Sequence, residues 1–588
     1  MLKNVRRLAR RLRGLGPLPS PAPPPARPPE PAPTPPPDPA LAALAYHHRT
    51  QHHPGRFARA LPYLDWDSQP DPFGRYEGAP HLPLARAPVE QSPRYEPAFR
   101  VGGLPARAMD GAAIGQLFQD ALGLSAWKEA GDSRWALRVN PSSGNLHPTE
   151  GYLICGPLPG LSDAPAVYHY NSYLHSLARR AALPEAAWRA LTQGLPQPCA
   201  LIGLSDVTLR ESWKYGERAY RYCQLDAGHA IACLSVAAAA LGWDLRLLEG
   251  ATDADLALLL GTASRSGPEA ERAEALLVVF PAGAPVAPRA LEAWRPAPDA
   301  LQAAQAARWQ GARAPLASDH HPWPILDAVA LATEKASAPP PELWEQDRPE
   351  NRALSVGDSP LLLRPLIHQR RSAVDLDGRT GITAGAFFQI LTKLMPGAGQ
   401  VPFQTLPWRA ELHLLLFVHR VGGLPPGLYA LPRAPDAEER LRAALDPAHA
   451  WSTPEGCPEG LPLRLLQVGD RRGDAAGVSC GQAIAGDGCF AVSMVAELEA
   501  ALAARGAWFY RRLHWEAGAI GQMLYLEAEA SGVAGTGIGC FFDGAALRAI
   551  GARGASLSPL YHFTVGGPVH DPRLRTLAPY GHLEEGGE

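Results

Sequence analysis

The sequence predicts an α+β protein made of two tandem domains. Three observations carry this prediction: a length of 588 residues, an internal repeat at a constant offset of 290 residues, and the same succession of helix and strand patterns in each copy. The repeat aligns 219–244 (AYRYCQLDAGHAIACLSVAAAALGWD) with 509–534 (FYRRLHWEAGAIGQMLYLEAEASGVA) without a gap. The matched pairs are Tyr220 and Tyr510, Arg221 and Arg511, Gly228 and Gly518, Asp253 and Asp543, and Gly261 and Gly551.

Each copy of the repeat has the pattern of a long helix, a glycine break and a short helix that ends in glycine. A strand-like run follows, ALLVVF at 275–280 in the first copy and YHFTVGG at 561–567 in the second. An upstream strand is predicted in each copy as well, GYLIC at 151–155 and ELHLLLFVH at 411–419. We therefore expect a first domain at 41–300 and a second at 355–588, joined by a connector at 301–354 with a helical segment of its own.

Residues 1–40 form a separate tail that begins with a basic stretch and continues with a proline-rich tract. Proline lacks a backbone donor, so the tract is expected to be disordered or to form polyproline II. A solvated tail is the simpler interpretation, and a segment that docks on a partner is the alternative.

Composition limits the classes of function. A net charge of −3 does not favour nucleic acid as a partner, and no apolar run is long enough to predict a membrane span. The eight cysteines include no C-x-x-C pair, so we expect no metal site and reduced thiols in a cytoplasmic protein.

Four segments carry residues suited to binding a flat, charged ligand. The loop NPSSGNLHPTE at 140–150 bunches small polar residues, and GVAGTGIGC at 532–540 allows close approach of a backbone to a ring. Two guanidiniums and a hydroxyl at 370–372 can grip a phosphate, and two more arginines follow the last strand at 573 and 575. The alternatives are an ordinary turn, a glycine-rich helix end and a solvated basic turn.

The two copies differ in complementary ways. The first has LRLLE (245–249) where the second has its glycine stretch, and it has no Arg-Arg-Ser segment. The second has PFQTL (402–406) where the first has PSSGN (141–145). Any ligand of the 141–145 loop should therefore be held by the other half of the chain.

Three more segments complete the pattern: AYHHRTQHHPGRF at 45–57, LDWDSQPDPFGRY at 64–76 and WKYGERAYRYCQLDAGH at 213–229. Together these segments resemble the nitroreductase superfamily, and within it the SagB/ThcOx-type dehydrogenases. The resemblance implies an intrachain pseudo-dimer with one FMN at the interface of its domains and hydride exchange at flavin N5. The cofactor-binding residues it implies are Arg370, Arg371, Ser372, Gly537, Ile538, Gly539 and Arg573 or Arg575 from the second copy, with Pro141, Ser142, Ser143 and Asn145 from the first. A reciprocal site built from LRLLE and PFQTL should be inactive.

The resemblance also implies a catalytic pair, Lys214 and Tyr215, in the segment WKYGERAYRY. As a base, Lys214 needs a pKa lowered by burial or by a neighbouring cation such as Arg218; a surface lysine in the first turn of a helix is the alternative. Three functions remain open: a dehydrogenase of azoline rings in a modified peptide, an NAD(P)H-dependent nitro or quinone reductase, and a degenerate flavin fold that binds partners in a peptide-modifying complex.

Overall fold

The computed structural model describes residues 38–263, 267–287, 289–340 and 359–584. The predicted tail lies outside these residues except for its last three positions, and so do residues 341–354 of the connector and 355–358 of the predicted second domain.

The part of the chain before residue 341 contains nine α-helices and eleven strands among its described residues. The helices are α1 (Pro39–Arg49), α2 (Gly111–Ala121), α3 (Glu185–Leu191), α4 (Thr208–Tyr215), α5 (Ala219–Ala240), α6 (Asp253–Leu260), α7 (Ala290–Ala293), α8 (Pro298–Ala306) and α9 (Pro324–Ala332). The strands are β1 (Tyr76–Glu77), β2 (His81–Pro83), β3 (Leu124–Ala130), β4 (Ser133–Arg138), β5 (Thr149–Cys155), β6 (Ala166–Asn171), β7 (Ser176–Ala182), β8 (Ala200–Val207), β9 (Trp243–Leu247), β10 (Glu271–Pro281) and β11 (Ala312–Arg313).

The described part after residue 358 continues the numbering. Its helices are α10 (Leu363–Gln369), α11 (Ala384–Lys393), α12 (Ala437–Ala444), α13 (Arg472–Val478), α14 (Ile484–Asp487), α15 (Leu498–Arg505), α16 (Phe509–Ala530), α17 (Asp543–Ala549) and α18 (Gly581–Glu584). Its strands are β12 (Ile382–Thr383), β13 (Leu412–Val418), β14 (Val421–Gly422), β15 (Gly427–Leu431), β16 (Arg464–Val468), β17 (Phe490–Ala496), β18 (Ala534–Ile538), β19 (Ser558–Gly566) and β20 (Arg575–Leu577).

Two antiparallel sheets dominate the fold, and six strands of each follow the same order. The first sheet runs β2-β7-β6-β5-β8-β10-β9 and the second runs β16-β15-β13-β17-β19-β18. When β2 is left aside and the six strands of each sheet are numbered in chain order, both sheets have the order third, second, first, fourth, sixth, fifth. The topology of the two sheets is therefore equivalent.

The long helices α5 and α16 pack against each other at the centre. Each has 22 residues, and their limits differ by the repeat offset of 290. They approach most closely at Gly228 and Gly518: a Cβ at Gly228 would lie 2.3 Å from the Trp515 carbonyl oxygen, and one at Gly518 would lie 2.2 Å from the Leu225 carbonyl oxygen. The two contacts are reciprocal, because Leu225 and Trp515 are also 290 residues apart.

Reciprocal ion pairs flank the helix crossing. Arg221 Nη1 lies 3.2 Å from a carboxylate oxygen of Asp543, and Arg511 Nη2 lies 2.5 Å from one of Asp253. Both arginines and Asp543 are almost fully buried. Each pair joins one half of the chain to the other. The second pair consists of the repeat equivalents of the first, because Arg511 corresponds to Arg221 and Asp253 corresponds to Asp543.

A smaller sheet also joins the two halves. Strand β20, near the C-terminal end, pairs with β3, which forms a hairpin with β4. In the connector, α9 is the expected helix and packs on α1, while α8 packs on α3 and α6. The two-stranded sheets β1-β11 and β12-β14 complete the strand pairing of the described residues.

The glycine break predicted after each long helix is present, with Gly242 and Gly532 at φ angles of 70° and 73°, but an unpredicted strand follows the break in each copy before the short helix begins. Strand β18 pairs with β19 along Ala534–Ile538, and β9 pairs with β10. Glycine has low strand propensity, so the segment AGTGI gives no local strand signal. Pairing with the edge of a sheet assembled from distant segments determines its conformation.

One apolar run, Thr208–Ala240, is long and apolar enough to cross a membrane by length and composition. The window that meets this criterion is 100% buried inside the protein. Its apolar surface is thus already covered by the core between the two sheets.

Replacing Gly518 by alanine should destabilise the fold, although alanine is ordinarily the better helix former. The new methyl group would collide with the Leu225 carbonyl, which belongs to a helix that has no room to move. We expect the free energy of unfolding, measured by urea titration, to fall by about 1–3 kcal/mol.

The matched control is Gly473→Ala in α13, where a Cβ meets nothing within 4 Å. This variant should be unchanged or more stable by up to about 1 kcal/mol. Equal stability of the two variants would contradict a close contact between α5 and α16.

Candidate functional site

The 141–145 loop lies between β4 and β5 and contains the short 3₁₀ turn Ser143–Asn145. Gly144, Asn145 and His147 have φ angles of 63°, 61° and 53°, in the left-handed region that side chains disfavour. A Cβ at Gly144 would lie 2.6 Å from Tyr215 Oη and 2.8 Å from Lys214 Nζ. The tight turn therefore brings the loop backbone directly against α4.

Asp226 of α5 holds this loop. Both the backbone N–H and the hydroxyl of Ser143 donate to the Asp226 carboxylate, at 3.0 Å each. Burial raises the pKa of Asp226 to about 7, and the hydrogen bonds from Ser142 and Ser143 oppose the shift. Asn145 donates to the Ala136 carbonyl at 2.9 Å and bonds the ring of His147, so its amide fixes the turn.

Arg370 lies beside the entry to this loop. Its guanidinium is 4% exposed and donates weakly, at 3.3 Å, to the carbonyls of Arg138 and Val139, just before the loop begins. It also lies over the Tyr525 ring, 4.8 Å from the centroid, while its Nε atom has no hydrogen-bond partner among the described residues. Segments 230 residues apart thus meet at one point.

Ser372 and the glycine strand are linked through Tyr525. The Tyr525 hydroxyl lies 2.7 Å from Ser372 Oγ and accepts the Gly537 N–H at 3.0 Å. Gly537 itself packs on Tyr561, whose hydroxyl lies 1.9 Å from where its Cβ would be. A side chain at position 537 would therefore collide with the Tyr561 hydroxyl.

Gly539 faces the first half of the chain. Its carbonyl accepts hydrogen bonds from Tyr222 Oη and Arg218 Nη2, both at 3.1 Å. The side chain of Ile538 is 4% exposed and belongs to the core of the second sheet, so Ile538 offers the site its backbone only.

Lys214 and Tyr215 lie in the last turn of α4, which corrects the alternative of a surface lysine in a first helical turn. Both are half-buried, and burial lowers the pKa of Lys214 although Glu211 opposes the shift. Arg218 is not the neighbouring cation we expected, because its guanidinium binds the Thr50 and Gly539 carbonyls and Asp543. Burial also raises the pKa of Tyr215, so its phenol stays protonated at neutral pH.

Four cations surround the entry to the loop: Lys128, Arg138, Arg370 and Arg371. Burial lowers the pKa of Arg138 to about 10; burial and the charge of Arg370 lower the pKa of Arg371 to about 10. Arg371 donates to the carbonyls of His368, Arg370 and Ser125, and Glu529 is the carboxylate beside it. Glu150 acts on Arg138, and Glu529 acts on Arg370 and Arg371, so two carboxylates compensate these four cations only in part, which favours an anion here.

Arg573 and Arg575 lie at the surface. Arg573 is paired with Asp571, and Arg575, 75% exposed, lies 3.5 Å from Glu129. Neither guanidinium contacts Arg370 or Ser372 in the described residues, although β20 brings Arg575 onto the hairpin that carries Lys128 and Arg138.

The position equivalent to the glycine strand is closed by side chains. Glu249 stands where the second copy has Gly539 and binds Arg512 and Lys335 at 2.7 Å each. Burial opposes ionisation, but Arg512 and Lys335 lower the pKa of Glu249 to about 2. The pocket beside it, lined by Trp408 and Trp508, has a volume of only about 40 Å³ for water-sized molecules.

Sequence reasoning missed four residues of this site. Arg138, Tyr222, Asp226 and Tyr525 supply a buried charge, two aromatic contacts and the carboxylate that fixes the loop. Tyr222 and Asp226 lie in the repeated segment close to its matched residues, so the repeat could have indicated them. Nothing in the local sequence distinguishes Arg138 from other arginines on a strand.

The model of the nitroreductase family matches residues 109–283, from α2 to the end of β10. The match is confined to the first half of the chain. The family is one of oxidoreductases, and the described chain as a whole has a mixed α/β, nitroreductase-like fold.

Among solved structures, a protein described as a nitroreductase from Anabaena variabilis ATCC 29413 aligns with 90% of this chain and 99% of its own, at a TM-score of 0.64 and 23% identity. This is a likeness of fold over both halves of the chain. The Escherichia coli microcin synthetase McbBCD complex, with truncated pro-MccB17 bound, aligns with 41% of this chain and 92% of its own at 16% identity, with a TM-score of only 0.25. The comparison with curated proteins found no match.

Replacing Asp226 by asparagine should remove a pH dependence from the stability of this protein. The unfolded carboxyl titrates near pH 4 and the folded one near 7, so its contribution is fully present below pH 4 and is lost as the pH rises to 7. Asparagine keeps the oxygen that accepts from Ser143 but does not titrate.

The unfolding free energy of the wild type minus that of Asp226→Asn should fall between pH 4 and 7, by on the order of a few kcal/mol. Denaturant titrations at four pH values measure this difference. A difference that stays constant with pH would show that Asp226 is ionised throughout the range.

Proposed function

We propose that this protein is an FMN-dependent oxidoreductase, a SagB-type dehydrogenase in which two tandem nitroreductase-like domains form an intrachain pseudo-dimer around one flavin site. The domains are 41–300 and 355–588, and the segment 301–354 connects them. The observation that carries the proposal is that Arg370 contacts both the end of β4, at the Arg138 and Val139 carbonyls, and the ring of Tyr525, whose hydroxyl links Ser372 to Gly537.

Reciprocal contacts support the pseudo-dimer. In a two-fold dimer residue i of one subunit contacts j of the other, and j contacts i in return. The pairs Arg221–Asp543 and Arg511–Asp253 follow this rule at the repeat offset, as do the contacts of Gly228 and Gly518. The matching order of six strands in each sheet is the second support.

The residues present fit the phosphate of FMN. Arg138 and Arg370 are buried, and the Nε atom of each has no hydrogen-bond partner in the described part of the chain. Lys128 and Arg371 add charge at the same place. A phosphate dianion would offset the mutual repulsion of these cations and accept from the unpaired donors. We assign Arg370 and Ser372 to the phosphate, together with Arg138 from the first half of the chain.

The residues present also fit a planar ring. The rings of Tyr561 and Tyr222 lie directly on Gly537 and Gly539, where a side chain would otherwise be, so this strand presents an aromatic surface on which a planar ring can stack. The 141–145 loop reaches the same surface through Tyr215, whose ring centroid lies 4.4 Å from that of Tyr222. The equivalent position is filled by the side chain of Glu249 and its ion pairs with Arg512 and Lys335, so it should bind no flavin. One site per chain follows from this asymmetry.

FMN, when bound, supplies hydride acceptance at N5. The chain's contribution is proton transfer and orientation. Lys214 Nζ, whose pKa burial lowers, forms no hydrogen bond or ion pair among the described residues, so as a neutral amine it can take a proton from a substrate held against the loop. The protonated Tyr215 phenol, beside Gly144, can donate a hydrogen bond to the same substrate.

The Lys214–Tyr215 pair favours a dehydrogenase that acts on azoline rings of a modified peptide, with peptide-modifying proteins as partners. An NAD(P)H-dependent nitro or quinone reductase is the second candidate. Bleaching of the bound flavin in a stopped-flow experiment distinguishes them: a thiazoline peptide should bleach it in the first case and NAD(P)H in the second.

The purified chain should bind one FMN, measured by absorbance after gel filtration. Arg370→Ala removes a charged hydrogen bond worth about 1.5–3 kcal/mol, so the dissociation constant of FMN should rise about tenfold to a hundredfold. The control is Arg472→Ala, an arginine paired with Asp470 on the surface, which should bind FMN like the wild type. Two flavins per chain would contradict the single site, and none would favour a binding module without redox activity.

Replacing Lys214 by methionine should abolish the proton transfer while retaining the volume of the side chain. We expect the rate of flavin reduction by a thiazoline peptide to fall by about 10²–10⁴, with FMN binding unchanged. The wild-type rate should also decrease at acidic pH, since only neutral Lys214 accepts a proton, and this decrease should vanish in the variant. An unchanged rate would exclude Lys214 as the base.

A further inference from the structure

Two cysteines from distant parts of the chain meet beside the end of the glycine strand. Cys480 Sγ and Cys540 Sγ lie 2.7 Å apart, closer than non-bonded sulfurs approach, while a disulfide bond is about 2.05 Å long. Both residues are half-buried, whereas five of the remaining six cysteines are buried. The pair is thus accessible to small molecules and within reach of a covalent bond.

The backbone holds the two thiols in this position. Gln482 donates to the Cys540 carbonyl at 3.1 Å and Phe542 N–H donates to the Val478 carbonyl at 2.8 Å. These bonds tie the segment after α13 to the segment after β18. Little chain entropy remains to be lost when the sulfurs join.

The surroundings distinguish the two sulfurs. The hydrogen bond with Cys480 lowers the pKa of Cys540 to about 5 against the effect of burial, and His52 and Arg218 act in the same direction. The pKa of Cys480 is raised, chiefly by its hydrogen bond with Cys540 and by burial. Cys540 is therefore the nucleophile and Cys480 the resolving thiol.

We propose that Cys480 and Cys540 are a redox-active pair that is converted to an intramolecular disulfide by exchange with a low-molecular-weight disulfide. The Cys540 thiolate attacks one sulfur of the soluble disulfide and displaces the first thiolate. Cys480 then loses its proton to solvent and attacks Cys540 Sγ, which displaces the second thiolate. Two protein thiols are oxidised and one small disulfide is reduced to two thiols.

This inference does not rest on flavin binding, and its sequence signal is weak because 60 residues separate the two cysteines. Once formed, the bond would join 480 to the residue that follows Gly539. The conformation of the glycine strand would then depend on the thiol redox state of the solution.

Oxidised glutathione is the probe, applied to the reduced full-length chain and followed by mass spectrometry. The intact mass should fall by two hydrogen atoms, and a proteolytic digest should contain the peptide of Cys480 linked to that of Cys540. Cys457→Ser is the matched control, a half-buried cysteine elsewhere, and it should form the same link. Mixed glutathione adducts without the link, or no change of mass at excess glutathione disulfide, would overturn the proposal.

Two further readouts assign the roles. Cys480→Ser should accumulate a single glutathione adduct at Cys540, because the resolving thiol is missing. In the reduced wild type, iodoacetamide should modify Cys540 at least about tenfold faster than Cys457 at neutral pH. Equal alkylation rates of Cys540 and Cys457 would contradict the role of Cys540 as the nucleophile. A glutathione adduct on Cys480 of Cys540→Ser that forms as fast as the adduct on Cys540 of Cys480→Ser would contradict the distinction between the two thiols.

Discussion

The crossing of α5 and α16 at Gly228 and Gly518 is the contact on which the rest of the fold depends. Helix backbones approach this closely only where neither residue has a side chain, and here each glycine meets the carbonyl of the facing helix. Every residue of α5 is buried as a consequence. The ion pairs of Arg221 with Asp543 and of Arg511 with Asp253 then fix the rotation of one half against the other.

The same crossing brings opposite segments together on its two sides, and the sides are chemically different. On one side, buried arginines, bare glycine backbone and the loop held by Asp226 make a surface that suits an anionic, planar cofactor. On the other, Glu249 fills the equivalent position and forms ion pairs with Arg512 and Lys335. In the proposed pseudo-dimer, duplication supplied two equivalent interfaces and divergence retained one of them for the cofactor.

Sequence reasoning went furthest where the signal was periodic or repeated. The limits of α5 and α16 match the aligned repeat, and α9 lies in the connector segment that had a helical pattern. It failed at AGTGI, where a strand forms from residues of low strand propensity, and at Lys214, which lies in the last turn of α4 rather than the first. Both errors concern conformations that partners distant in sequence decide.

The sequence by itself determined the repeat at an offset of 290 residues, the long helix that each copy of the repeat forms, and the residue types that each half carries, because these are properties of local pattern and spacing. Only the tertiary structure decided which residues meet. Arg370 reaches the carbonyls of Arg138 and Val139, Tyr525 links Ser372 to Gly537, and the Cys480 and Cys540 sulfurs lie in contact. These contacts arise from packing between elements far apart in the chain, and no local pattern encodes which distant side chain will be the partner.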